Sequence, residues 1–138
     1  MSDHDISRIG VAGAGTMGAG IAQLAALSGF DTMLWDPDAD ALSRAEDHIG
    51  TMLDRGVEQG RWEEAEASEA KDRLTTVDDL EDLAANDLVI EAAPEELGLK
   101  RDLFDTLCDT GDDTLVLATN TSSLSVGAIA RGCSRPER

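Results

Sequence analysis

RIGVAGAGTMGAGIAQLAALSGFDTMLWD, residues 8–36, decides the fold. Ile9, Val11 and Ala12 form a short apolar run of the kind that becomes a buried strand. The run breaks into Gly13-Ala14-Gly15-Thr16-Met17-Gly18, a G-x-G-x-x-G sequence. Met17, Ile21, Leu24 and Ala25 then recur every three to four residues and predict an amphipathic helix, with Gly29 where its C-cap should fall. Thr32–Trp35 reads as a second strand, and it delivers an acid, Asp36, 18 residues beyond Gly18.

Strand, glycine turn, helix, strand and terminal acid at this spacing are what dinucleotide binding requires. Gly13 permits a tight turn, Gly15 lets the backbone approach a pyrophosphate, and Gly18 lets helix and strand pack closely. Thr16 and Met17 complete the turn at the helix start, whose unpaired N–H groups and partial positive charge suit phosphate. Asp36 can accept hydrogen bonds from both hydroxyls of an adenosine ribose. Glycines also serve turns for purely structural reasons, but the complete set at this spacing favours the site. After Asp36 come Pro37, Asp38, Ala39 and Asp40, with no Arg or Lys to receive a 2′-phosphate and two carboxylates to repel one. The cofactor expected is NAD rather than NADP.

A chain of 138 residues suffices for one domain with a single core. Aromatic residues are only 3% and tyrosine is missing, so Ala, Val, Leu and Gly must do the packing, as suits a parallel sheet under closely approaching helices. No run of 18 apolar residues offers a membrane span and MSDHDIS has no secretory pattern, so a cytoplasmic protein is expected. Cys108 and Cys133, 25 residues apart and outside any C-x-x-C, are expected to be reduced, with at least one buried. No metal site is expected. A net charge of −18 argues against nucleic acid and anionic membranes as partners. With Lys71 and Lys100 the only lysines, this acidity fits a protein working at high salt. A surface that merely aids solubility explains it equally.

Between Asp38 and Gln59, residues Leu42, Ala45, Ile49, Met52, Leu53 and Val57 draw one apolar stripe on a helix. Trp62–Arg73 reads as a second helix, with its acids early and Lys71 and Arg73 late. The pair predicts a helical hairpin inserted before a third strand at Leu74–Thr76, followed by a brief helix capped by Asp78 or Asp79. Asp87–Ala92 is the next buried strand, Pro94 suits the first turn of another helix, and Thr114–Ala118 is a further strand. The polar run Thr119-Asn120-Thr121-Ser122-Ser123 follows, then a last helix. This alternation predicts a doubly wound, mostly parallel Rossmann-type α/β sheet with a helical hairpin insertion, its ligand beyond the carboxyl ends of the strands.

GAGTMGAGIAQLAALSGFDTMLWD, DLVIEAAPEELGLKRDLF and LATNTSSLSVGAIA resemble the NAD-binding domain of the 3-hydroxyacyl-CoA dehydrogenase family, in order and spacing over essentially the whole chain. The resemblance implies oxidation of an (S)-3-hydroxyacyl-CoA to the 3-ketoacyl-CoA with hydride passing to NAD, an acyl-CoA as substrate, and a dimeric full-length protein. It places Asp36 on the adenosine ribose, Glu95, Lys100 and Asn120 by the cofactor, and Ser122 near both the nicotinamide and the reacting oxygen. It also implies that the insertion meets CoA phosphates, for which Arg55, Gln59 and Arg61 are the available groups. Local readings compete: Ser122 or Ser123 could cap a helix, Asn120 could form a turn, and Glu95 and Lys100 could serve only their own helix. Glu91 reads as satisfying local backbone donors, and His4 and His48 as solvated.

The family's general-base histidine lies in a G-L-H-F-F-N-P stretch that this sequence does not contain. Residues 1–138 are therefore expected to be an NAD-binding domain without the all-helical C-terminal domain, binding NAD but scarcely catalysing. Two other readings share the glycine motif. One is a dehydrogenase of the 3-hydroxyisobutyrate or 6-phosphogluconate group, and the other is a regulatory dinucleotide-binding module, which would need neither Ser122 nor a CoA site.

Overall fold

The computed structural model describes residues 6–92, 97–111 and 115–119, and of residues 97–100 the backbone alone. Five strands, β1 (Arg8–Ala12), β2 (Asp31–Trp35), β3 (Leu74–Val77), β4 (Leu88–Glu91) and β5 (Val116–Thr119), form one sheet in the order β3-β2-β1-β4-β5. Every pairing is parallel. Parallel neighbours need crossovers, and helices supply them: α1 (Thr16–Leu27) between β1 and β2, α2 (Ala39–Glu58) and α3 (Glu64–Arg73) between β2 and β3, and α4 (Leu97–Thr110) between β4 and β5. A 3₁₀ segment, Leu80–Ala85, joins β3 to β4. The order reverses direction at β1, so the carboxyl ends of β1 and β4 flank the crevice where such sheets hold ligands.

Alternating strand residues divide the core between the two faces of the sheet. Ile9, Val11 and Leu34 meet α1, α2 and α3 on one face. Ala12 and Val89 meet Leu83, Leu103, Phe104 and Leu107 on the other. The stripe expected on α1 is corrected: Met17 and Leu24 are exposed, at 58% and 67%, while Gly18, Ala19, Ala22, Ala25 and Ala26 are buried. Small residues bring the helix backbone close to the sheet, and that proximity leaves no space for the long side chains on the inner face. Gly29, with φ at +101°, ends the helix as expected, its N–H donating to Ala26 O.

The helical pair α2–α3 serves as the crossover itself and packs on α1. Its turn is locked by Trp62, whose Nε1 donates to Leu53 O at 2.8 Å. The indole lies so close to Gly56 that a Cβ there would come within 2.0 Å of the ring. Lys71 pairs with Asp54 at 2.6 Å, tying α3 to α2. At the amino end of the sheet Asp87 accepts from the N–H groups of Ser7 and Arg8, each at 3.0 Å, and pairs with the Arg8 guanidinium. The Ser7 backbone hydrogen bond, reinforced by Arg8, holds the Asp87 carboxyl below its ordinary range against the opposing effect of burial.

Two smaller expectations are also corrected. The brief helix is 3₁₀ and begins after Asp79, whose side chain makes no cap. Cys108 is buried, as expected, but disulfide-bonded rather than reduced, since the lack of a C-x-x-C spacing does not exclude a disulfide. Pro94 lies outside the described residues. No helix among them is long and apolar enough to cross a membrane.

Candidate functional site

β1 ends at Ala12, and the chain turns through Gly13, whose φ of +117° is a conformation that disfavours a side chain. The Gly13 N–H donates to Trp35 O at 2.7 Å, stitching the turn to the end of β2. Gly18 has a different constraint. A Cβ on it would stand 1.7 Å from the carbonyl oxygen of Gly13, so the first turn of α1 rests directly on the loop backbone. Gly15 is unlike both, since a Cβ there meets nothing within 4 Å. Nothing among the described residues requires a glycine at this position, and the space above it is open to an incoming group.

Gly15 is also the N-cap of α1, and no side chain caps that helix. The leading N–H groups of α1, at Thr16, Met17 and Gly18, therefore present a donor-rich end to the rim of the sheet. One turn of chain away, Asp36 is held in place by backbone donors. The Ala14 N–H donates to its Oδ2 and the Asp38 N–H to its Oδ1, both at 2.8 Å. An ionised carboxylate offers about four acceptor sites, so each oxygen keeps capacity for a hydroxyl. Asp38, read in sequence as a carboxylate that repels phosphate, is the N-cap of α2, accepting from the N–H groups of Asp40 and Ala41.

A cleft of about 310 Å³ opens between the start of α1 and the first half of α2. Ala14, Gly15, Thr16, Ala19, Ala41 and Ala45 make its small-residue floor, and Arg44 and His48, one turn apart, also line it. Sequence reading missed Arg44 and took His48 as merely solvated. His48 is exposed, yet its side of the helix borders the cleft. The available signal was the four-residue spacing of two nitrogen side chains on the helix that follows Asp36.

At the opposite flank of the crevice, Glu91 ends β4, fully buried, and the hydroxyl of Thr119 in β5 donates to its carboxylate. The two residues are register partners, so this bond joins the carboxyl ends of β4 and β5. The expectation that Glu91 serves local backbone donors is thus amended by a side-chain partner on the next strand. The candidates Glu95, Asn120 and Ser122 lie outside the described residues. The Lys100 side chain lies outside them as well, though its backbone is part of α4.

The proposed CoA contacts are not brought to the cleft. Arg55 lies eleven residues beyond Arg44 on α2, about 16 Å at helical rise. Gln59 caps the end of that helix and Arg61 follows in the turn. All three are exposed, and the Arg55 guanidinium lies 3.9 Å from Met52 Sδ. Among the described residues, no group of three or more His, Cys, Asp and Glu side chains could hold a metal.

Residues 8–138 match the family model described as 3-hydroxyacyl-CoA dehydrogenase, NAD binding domain. The chain is 43% identical over 134 residues to a 3-hydroxyadipyl-CoA dehydrogenase of Escherichia coli K12, covering 97% of this chain and 28% of the relative. It is 41% identical over 133 residues to a 3-hydroxybutyryl-CoA dehydrogenase of Bradyrhizobium diazoefficiens, covering 96% and 45%. Among solved structures, the (S)-3-hydroxybutyryl-CoA dehydrogenase of Ralstonia eutropha superposes with a TM-score of 0.90 at 33% identity, over 96% of this chain and 47% of that one. The chain thus spans half or less of the length of these relatives.

Proposed function

The chain belongs to the family of 3-hydroxyacyl-CoA dehydrogenase NAD-binding domains, and from that premise we propose that it is the cofactor-binding part of an enzyme that oxidises a 3-hydroxyacyl-CoA. The residues at the rim fit NAD: open space above Gly15, an uncapped α1 beside it, and an oriented carboxylate at Asp36. The observation that carries the reading is the Ala14–Asp36 hydrogen bond, which sets a ribose acceptor beside the phosphate-binding turn. Asp36 holds the adenosine ribose, and Gly13, Gly15, Thr16, Met17 and Gly18 form the turn beneath the pyrophosphate. Glu95, Lys100 and Asn120 serve the nicotinamide half.

Held by Asp36 and the Gly13–Gly18 turn, NAD would supply the hydride acceptor for oxidation at the substrate's C3 carbon. The chain's part is to orient cofactor and alcohol, with the Ser122 hydroxyl donating to the developing carbonyl. The hydroxyl proton requires a general base. The sequence's histidines, His4 and His48, are not in the family's catalytic stretch, so the part proposed for residues 1–138 is binding and orienting the cofactor. The acyl-CoA substrate, the dimeric state and the cytoplasmic setting belong to the same proposal.

The test is a titration of the chain with NADH and separately with NADPH, followed by tryptophan emission. Trp35 precedes Asp36 and its backbone bonds Gly13, so a ligand on this rim perturbs it. Saturable quenching by NADH with little response to NADPH is the expected result. A folded sample that saturates with neither, or equally with both, overturns the cofactor assignment.

A further inference from the structure

The chain has 29 acidic and 11 basic residues, so an arginine without an acidic partner is informative. Arg8, Lys71 and Arg73 are paired with Asp87, Asp54 and Glu69. Arg44, Arg55 and Arg61 have no ion-pair partner among the described residues, and of these three only Arg44 lines the cleft, although Asp40 stands one turn before it and Glu46 and Asp47 follow closely. Its side chain instead lines the cleft whose other wall is Ala14, Gly15, Thr16 and Ala19. The small side chains on that floor keep the cleft open, with His48 bordering it from the next turn of α2. Arg44 is exposed and shares this cleft of about 310 Å³ with Gly15 and Thr16 at the donor-rich start of α1, a volume that admits a phosphate group. An arginine and a helix N-terminus around one opening, in a protein of net charge −18, make the cleft locally favourable to an anion.

We propose that Arg44 is a cofactor-binding residue that pairs with the pyrophosphate of the dinucleotide from the α2 side of the turn. This role rests on the reading that NAD occupies the rim. Arg44 compensates there for the repulsion that the acidic surface exerts on an anionic cofactor. Arginine suits the task, since its planar fork can engage two phosphate oxygens at once. Asp36 fixes the ribose through hydroxyls and selects against a 2′-phosphate, whereas Arg44 acts on the charge common to NAD and NADP.

The chain and its Arg44→Gln and Arg44→Lys variants are titrated with NADH, ADP, adenosine and NADPH at low and at high salt, with a thermal melt of each protein. Expected are unchanged melts, a loss of about ten-fold in affinity for NADH and ADP in R44Q, no change for adenosine, and partial recovery in R44K. The loss should shrink at high salt, where the pairing is screened. Equal affinities of wild type and R44Q for NADH overturn the proposal, as does an equal loss for adenosine. A loss confined to NADPH assigns Arg44 to the 2′-phosphate and overturns it too. Failure of the wild type itself to bind NADH or ADP removes the NAD reading, and the proposal with it.

Discussion

Gly15 and Gly18 are three residues apart in one motif, yet they are glycines for opposite reasons. Gly18 is required by the fold, because a Cβ would overlap the Gly13 carbonyl at 1.7 Å and neither backbone can yield. Gly15 is required by no contact among the described residues, because a Cβ there meets nothing within 4 Å of them. Gly18→Ala should therefore cost about 3 kcal/mol or more in urea unfolding through overpacking. Gly15→Ala should cost less than about 1 kcal/mol, the scale of changing an N-cap. It should nonetheless weaken NADH binding at least ten-fold, since the methyl occupies the space left for phosphate. Equal stability losses in the two variants would contradict this division.

Between elements, the amino end of the sheet depends on one acid. Asp87 gathers the backbone of Ser7 and Arg8 and joins the start of β1 to that of β4. Its carboxyl is held below the ordinary value of 3.8, mainly by the Ser7 backbone hydrogen bond. A depressed folded-state value stabilises the protein above the unfolded value, and that stabilisation is lost as pH falls through the folded one. Asp87→Asn should accordingly lower the urea midpoint at pH 6, and the gap to wild type should close as the pH is taken below about 4. A gap that is constant across this range would mean that the charge of Asp87 contributes nothing.

At the scale of the whole molecule the dominant quantity is the charge of −18. Ion pairs among the described residues engage Asp87, Asp54 and Glu69, but the chain's 29 acids far outnumber its 11 bases, so net repulsion among carboxylates remains. Salt screens that repulsion, the screening length falling to about 3 Å at 1 M. The melting temperature should rise from low salt to molar KCl. A flat profile would show the acidity to be a solubilising surface without a role in stability.

The sequence by itself determined the strand–turn–helix–strand unit around Gly13–Gly18 and Asp36, the parallel alternation and the preference for NAD. These follow from local periodicity, from glycine's conformational range and from spacing along one continuous segment. Only the tertiary structure decided which face of α1 is buried. Apolar spacing favoured Met17 and Leu24, whereas the closeness of helix and sheet selected the alanines and glycines. Only it separated the two glycine roles, because a missing Cβ looks the same in sequence whatever surrounds it. It also gave Asp38 a second role as a helix cap, paired Glu91 with Thr119, and placed Arg44 in the cleft shared with the α1 turn. Each of these is a meeting of residues distant in sequence or a choice of partner, and both depend on how the elements pack.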